Sequence, residues 1–340
     1  MTGSPADNPA PDDDTGDREP HEDRSEHRQR RATHAPRDTR PGCRTRPGLR
    51  RVRHGCLVHG PARRHRPAAR QRARTPRLLA KITDRGLAIS ALTCSGNPLH
   101  PGPSGREHDQ VTRRTIALAP LLGVDRVVMM SGLPGGPGDA NPNWITVSWP
   151  PETTQILEWQ WTEAVLPYWR DLVAHARDRG VGKLCLEMHA HQAVYNVPTL
   201  LRLREEVGPV VGANFDPSHL MWMGADPLAA IEALGEAIYH VHAKDTRLEP
   251  LRQSLTSRLE TLPVMAAKDR SWNYVTLGYG HDDAFWRAFC LALRRAGYDG
   301  VLSIEHEDVL MGPVEGVTKS VDLLRRVALR DPSSYKPQEV

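Results

Sequence analysis

No lysine, isoleucine, phenylalanine, tyrosine or tryptophan occurs before Lys81. A stretch without those residues cannot bury enough apolar surface to form a core. Cysteine is also scarce. Cys43, Cys56, Cys94, Cys185 and Cys290 are scattered, odd in number and form no CxxC pair. That argues against a disulfide framework and fits a reducing cytoplasm. No apolar run approaches the roughly 18 residues needed to span a bilayer. The beginning of the chain is acidic and proline-rich, the opposite of a secretory leader. A cytoplasmic protein without membrane contact is expected.

The basic charge is unevenly placed. Residues 1–80 contain 19 Arg against 10 Asp or Glu, a net +9; the whole chain is +4, so residues 81–340 carry −5. The sequence pI of about 8.9 therefore belongs to the N-terminal segment, and it is no argument for a nucleic-acid partner. The segment 1–77 is expected to be a disordered Arg/Pro-rich stretch. Two origins stay open for its second half: a genuine basic tail, or an out-of-frame translation joined to the true frame near Leu78. Residues 78–330 are expected to form one barrel domain, and 331–340 a frayed tail.

From residue 86 onward, short β-rich runs alternate with helical patterns. GLAISALTC, VDRVVMM, KLCLEM, VVGANFD, IYHVHAKD and VLSIEHED read as parallel strands joined by crossovers. This is the pattern of a TIM (β/α)8-type barrel, whose C-terminal strand ends carry the active site. A closed barrel of this kind has eight strands. Strands one and two are not recognisable, so the barrel is expected to be incomplete at its N-terminus. The helical pattern from Pro151 should be kinked or divided at Pro167. The excursion Thr246–Gly280 shows no clear helix of its own and should cover the site. The Gly-rich loop SGLPGGPG lacks GK[ST] and is no phosphate loop.

Four strand ends finish in metal-competent side chains: Glu187, Asp216, His242 and Glu305. The steps between them are 29, 26 and 63 residues by subtraction of their numbers. One βα unit of an eightfold barrel averages about 31, so three of the residues fall at equivalent points of successive units. The last step fits one unit plus the excursion. Three carboxylates and one imidazole suit one divalent ion, with Mn, Co or Mg favoured and Zn possible.

The motifs LEMH, NFDPSH, HVHAKD and SIEHED resemble those of the xylose-isomerase-like barrel superfamily of sugar phosphate isomerases and epimerases, over residues 86–328. The resemblance implies that Glu187, Asp216, His242 and Glu305 bind the metal. It also implies that Glu187 and Glu305 are the catalytic acid/base pair, and that His219 touches the substrate. The chemistry is coherent: a divalent ion polarises a carbonyl and holds the enediolate left by deprotonation, while two carboxylates remove and return protons. Return to the neighbouring carbon isomerises the sugar; return to the opposite face epimerises it. His189, Arg247 and His281 are further substrate-binding candidates, and His240 should pack lower in the barrel. The expected partner is a small sugar or sugar phosphate; a homo-oligomer is compatible with such barrels. Two alternatives remain: a keto-inositol-type dehydratase on the same site, and a non-catalytic truncated barrel.

Overall fold

The computed structural model describes residues 75–331. The expected disorder before Thr75, the two proposed origins of that segment, and the tail after Asp331 lie outside the described residues. A helix spans Thr75–Thr83 and so begins three residues before the expected domain start. Among the described residues, six strands form one parallel sheet. They are β1 (Leu92–Cys94), β2 (Arg126–Met129), β3 (Lys183–Glu187), β4 (Val211–Phe215), β5 (Ile238–Ala243) and β8 (Leu302–Ile304). The order is β1-β2-β3-β4-β5-β8, and among the described residues this barrel wall is open between its first and last strands.

The strand expected over 86–94 is paired only over Leu92–Cys94, against β2. Leu87 stays exposed. A ladder needs a neighbour, and among the described residues β1 has one on a single side. The inner strands β3 and β4 are buried almost throughout, as parallel strands covered on both faces must be.

The helices close this wall from outside. The pattern from Pro151 resolves into a helix Pro151–Trp159, a π-helical stretch Gln160–Val165 and a helix Leu166–Arg177. The cause is Pro167. It has no N–H, and its ring would press on the carbonyl of Glu163, so the preceding turn widens. Trp161 and Trp169 on these segments are buried in the core. Trp169 also donates its indole N–H to the Ser131 carbonyl at 3.0 Å. Three thiols, those of Cys94, Cys185 and Cys290, are free and buried, and burial raises the pKa of each.

The excursion after β5 corrects the reading of a helix-free segment. Asp245–Leu248 (β6) and Trp272–Val275 (β7) pair as an antiparallel ribbon, and a short helix runs from Pro250 to Thr256. That helix buries none of its own residues, so it carries no apolar periodicity toward a core and its pattern was invisible. A second short helix, Pro217–Met223, follows β4 directly, before the expected helix at Pro227–Leu234. Its start is encoded by Asp216, whose Oδ1 accepts from the Ser218 backbone N–H at 2.9 Å and the Ser218 hydroxyl at 2.6 Å, an N-cap.

Candidate metal centre at the strand ends

Register brings the ligand candidates together. Glu187 is the last residue of β3, opposite Asn214 of β4. Asp216 follows the end of β4, His242 pairs with Ser303 of β8, and Glu305 follows β8 with its N–H on the Ala243 carbonyl at 3.2 Å. One potential ligand atom from each of Glu187, Asp216, His242 and Glu305 lies within 4.8 Å of the others. His242 Nδ1 stands 3.1 Å from Glu187 Oε2, 3.1 Å from Glu305 Oε2 and 3.9 Å from Asp216 Oδ2.

The donor set fits a cation. Asp216 Oδ2 and Glu305 Oε2 are buried and lack a hydrogen bond of good geometry; the groups beside them are His219 Nε2, 3.3 Å from the first, and His242 Nδ1 and Lys244 Nζ, 3.1 and 3.5 Å from the second. Carboxylate oxygens removed from water with so little donation are costly, and two of them facing one point suit a divalent ion. The electrostatics agree. Burial raises the Glu187 carboxyl pKa, but hydrogen bonds from His219 and His242 prevail and hold it well below the usual range. Burial also works against charge on Asp216, yet His219 lowers its pKa to about 2. For His242, burial opposes protonation, and its bonds to Glu187 and Glu305 raise its pKa to about 10. A positive charge on the His242 imidazole is thus favoured by the carboxylates around it, as a cation placed there would be.

The surrounding contacts fix the ligands. Asn214, fully buried, donates from Nδ2 to Glu187 Oε2 at 2.9 Å, and its Oδ1 lies 2.7 Å from His240 Nδ1. His240 is buried below the site, where burial and the neighbouring His242 lower its pKa to about 4. His219 is buried with both ring nitrogens engaged: Nε2 is 3.0 Å from Glu187 Oε1 and Nδ1 is 2.8 Å from the Tyr274 hydroxyl. His189 packs its ring edge against His219, with centroids 4.1 Å apart. It also shares Glu187 with His219 in a second group of potential ligand atoms. Burial, then the charge of His219, lowers its pKa to about 4.

Two candidates are not in this cluster. Arg247 is held by Glu249, at 2.7 Å from Nε and 2.6 Å from a terminal nitrogen, and its side chain is 44% exposed. His281 sits 2.8 Å from Asp245 Oδ1 with its ring against Phe285. Asp245 is a clamp for the loop after β7. Its Oδ2 accepts the backbone N–H groups of Gly278, Gly280 and His281 at 3.0–3.1 Å. A side chain at position 280 would collide with the Thr246 carbonyl and the Asp245 carboxylate, so the turn requires glycine.

Sequence reasoning missed Asn214, Tyr274 and the placement of Lys244. Asn214 carried a signal: it stands two residues before Asp216, on the same face of β4. Tyr274 carried none, since the ribbon that delivers it was read as loop. The Lys244 ammonium is buried, 3.5 Å from Glu305 Oε2 and 2.6 Å from Glu307 Oε2, over the Tyr274 ring at 4.1 Å. Burial opposes its charge, but Asp216 and Glu305 outweigh this and raise its pKa.

Parallel strand ends carrying three carboxylates and an imidazole define a class, and comparison with known proteins agrees. Residues 56–327 match the model of the xylose isomerase-like TIM barrel, and the chain belongs to that family. A protein named uncharacterized protein YfiH, from Bacillus subtilis (strain 168), is 50% identical over 248 residues, covering 72% of this chain and 79% of that protein. Among solved structures, the 3-keto-D-glucoside 4-epimerase YcjR from E. coli superposes with a TM-score of 0.52 at 17% identity, covering 75% of this chain and 85% of that one. The IOLI protein, whose structure holds a zinc atom, superposes with a TM-score of 0.51 at 18% identity, covering 73% and 81%. At these identities the two structures speak for the fold. No helix among the described residues is long and apolar enough to cross a membrane.

Proposed function

We propose that the protein is a divalent-metal-dependent sugar isomerase or epimerase. The observation that carries the reading is the pair of buried carboxylate oxygens without a well-formed hydrogen bond, Asp216 Oδ2 and Glu305 Oε2, within one ligand cluster with Glu187 and His242. These four residues would hold the ion, with Mn, Co or Mg matching the oxygen-rich set and Zn admissible. When bound, such an ion polarises a substrate carbonyl and acidifies the neighbouring C–H. Glu187 and Glu305 supply the proton transfers. They come from non-adjacent strands, β3 and β8, and so approach a bound sugar from different sides. One carboxylate takes the proton beside the carbonyl and the other returns one. His219 and Asn214 hold Glu187 by its two oxygens, which fixes its direction. Tyr274 and the ribbon cover His219 and exclude water from it. Three buried free thiols support a reducing compartment as the place of work.

The test has two stages. Soluble protein is analysed for bound metal, then metal-loaded protein is incubated with five- and six-carbon aldoses and ketoses in D2O. Proton transfer through a solvent-exchanging carboxylate places deuterium on the carbon next to the carbonyl, visible by NMR. About one equivalent of metal with such exchange supports the reading. Metal-loaded protein that exchanges no sugar proton rejects it and leaves a non-catalytic barrel.

A further inference from the structure

We propose that the substrate is an uncharged sugar carrying an apolar substituent, with its sugar at the metal cluster and the substituent in a separate annexe beside it. This rests on the metal-site reading above and settles a choice that reading leaves open, between a free sugar and a phosphate ester.

The annexe is a cavity of about 550 Å³ at the end of β8 and the ribbon, lined by Val264, Tyr274, Glu307, Val309, Met311 and Pro313 among others. Its volume lies within the ~300–1,000 Å³ typical of small-molecule sites. None of the four ligands lines it. It abuts the cluster's surroundings through two of its lining residues. Tyr274 bonds His219 at 2.8 Å, and Glu307 bonds Lys244 at 2.6 Å. Four aliphatic side chains and a tyrosine ring form most of its wall, with His306, Glu307 and Asp308 as its polar members. Sugar hydroxyls placed against the aliphatic part would lose their water without gaining partners. An apolar group placed there gains by leaving water.

Charge excludes the phosphate. Among the described residues, Lys244 alone of the lysines and arginines forms an ion pair with any of the four ligands, and Glu307 already answers it. Arg247 is taken by Glu249. Among the described residues, Glu187, Asp216, Glu305 and Glu307 outweigh a divalent ion and Lys244 together by one negative charge, and Asp308 beside the annexe adds another. Even a protonated His219 leaves these described groups net negative, so they offer a dianionic ester repulsion rather than a cradle.

Three probes share one sugar and differ in one tail: D-fructose, D-fructose 6-phosphate and 6-O-benzyl-D-fructose. The full-length protein is loaded with Mn²⁺, and each probe is titrated by calorimetry and by its effect on the Mn²⁺ EPR spectrum. The expected order is benzyl tighter than fructose by about tenfold, and phosphate weaker than fructose by about tenfold. Val264→Asn with Val309→Asn removes the benzyl advantage while leaving Mn²⁺ and fructose affinities unchanged. Glu307→Gln, which leaves Lys244 less answered, narrows the deficit of the phosphate. Tighter binding of the phosphate, no gain from the benzyl group, or the same gain in the double variant overturns the proposal. Protein that takes up no Mn²⁺, or a Mn²⁺ signal that no probe perturbs, overturns the metal-sugar reading itself, and the substrate assignment with it.

Discussion

Asp216 and Asp245 are both completely buried carboxylates near the mouth of the same barrel, and they are opposites. Asp245 is saturated: its two oxygens meet the N–H groups of Thr246, Gly278, Gly280 and His281 and the ring of His281. Asp216 spends Oδ1 on its helix cap and leaves Oδ2 with no hydrogen bond. A filled buried carboxylate belongs to the architecture. A half-filled one, in one cluster with Glu187, His242 and Glu305, keeps an oxygen that a cation could take. Residue type and burial cannot separate the two cases; the count of donors does.

The largest effect should come from the filled member. Asp245→Ala orphans several buried N–H groups and removes a buried charge from its partners, with an expected loss of about 3–5 kcal/mol of stability, measured by urea unfolding. Its Mn²⁺ affinity, measured on protein that remains folded, should change by less than about tenfold. If stability holds and metal binding collapses instead, the contrast between the two aspartates is wrong. Asp216→Asn should do the reverse. It keeps an oxygen for the Ser218 cap but loses the charge beside His219, so its stability loss should stay smaller than that of Asp245→Ala, while Mn²⁺ affinity falls by at least about 100-fold.

Protons should follow the same division. In the metal-free protein the pKa of His242 is raised from an ordinary 6.5 to about 10. Its stabilising charge is therefore fully present below pH 6.5 and is lost as pH rises through about 10. The depressed Asp216 and Glu187 contribute above their ordinary pKa values, and Asp216 loses its share as pH falls through about 2. An ion that binds His242 must displace its proton. Calorimetry at pH 8 in two buffers of different ionisation enthalpy should show close to one proton released per Mn²⁺, and affinity should climb by about tenfold per pH unit below pH 10. Buffer-independent heats would remove His242 from the ligand set.

Smaller effects sharpen the outline. Tyr274→Phe deprives the buried His219 Nδ1 of its partner and should cost about 1–2 kcal/mol in thermal unfolding, without loss of the metal. Arg247→Ala breaks a half-exposed pair with Glu249 and should shift stability by less than about 1 kcal/mol, with Mn²⁺ affinity unchanged. A large effect there would draw Arg247 toward the site.

How legible all this was depended on periodicity. The βα alternation and the abrupt strand ends carried the barrel class and the four residues Glu187, Asp216, His242 and Glu305, because parallel strands write their burial directly into apolar runs. The excursion did not read out. Its ribbon holds Arg247 and Asn273 beside Trp272 and Tyr274, and its helix buries nothing, so neither a twofold nor a 3.6-fold pattern emerged. Arg247 and His281 were chosen for chemical type near a motif; of the partners that occupy them, Glu249 caps the unread helix Pro250–Thr256 and Asp245 begins the ribbon where a strand end was read. Asn214 was legible by alternation and was passed over because an amide attracts less notice than an acid.

Cys185 sits between Leu184 and Leu186 on β3, one strand turn from Glu187, and its thiol is sealed from solvent. A thiol reagent can reach it only when the central sheet opens, and its raised pKa makes the thiolate scarce even then. The residue is thus an internal clock for the candidate metal centre. The rate at which a peptide bearing Cys185 takes up a label reports how often the wall behind the ligands comes apart. A bound ion that ties β3, β4, β5 and β8 together should slow that rate by the factor in which it stabilises the closed sheet.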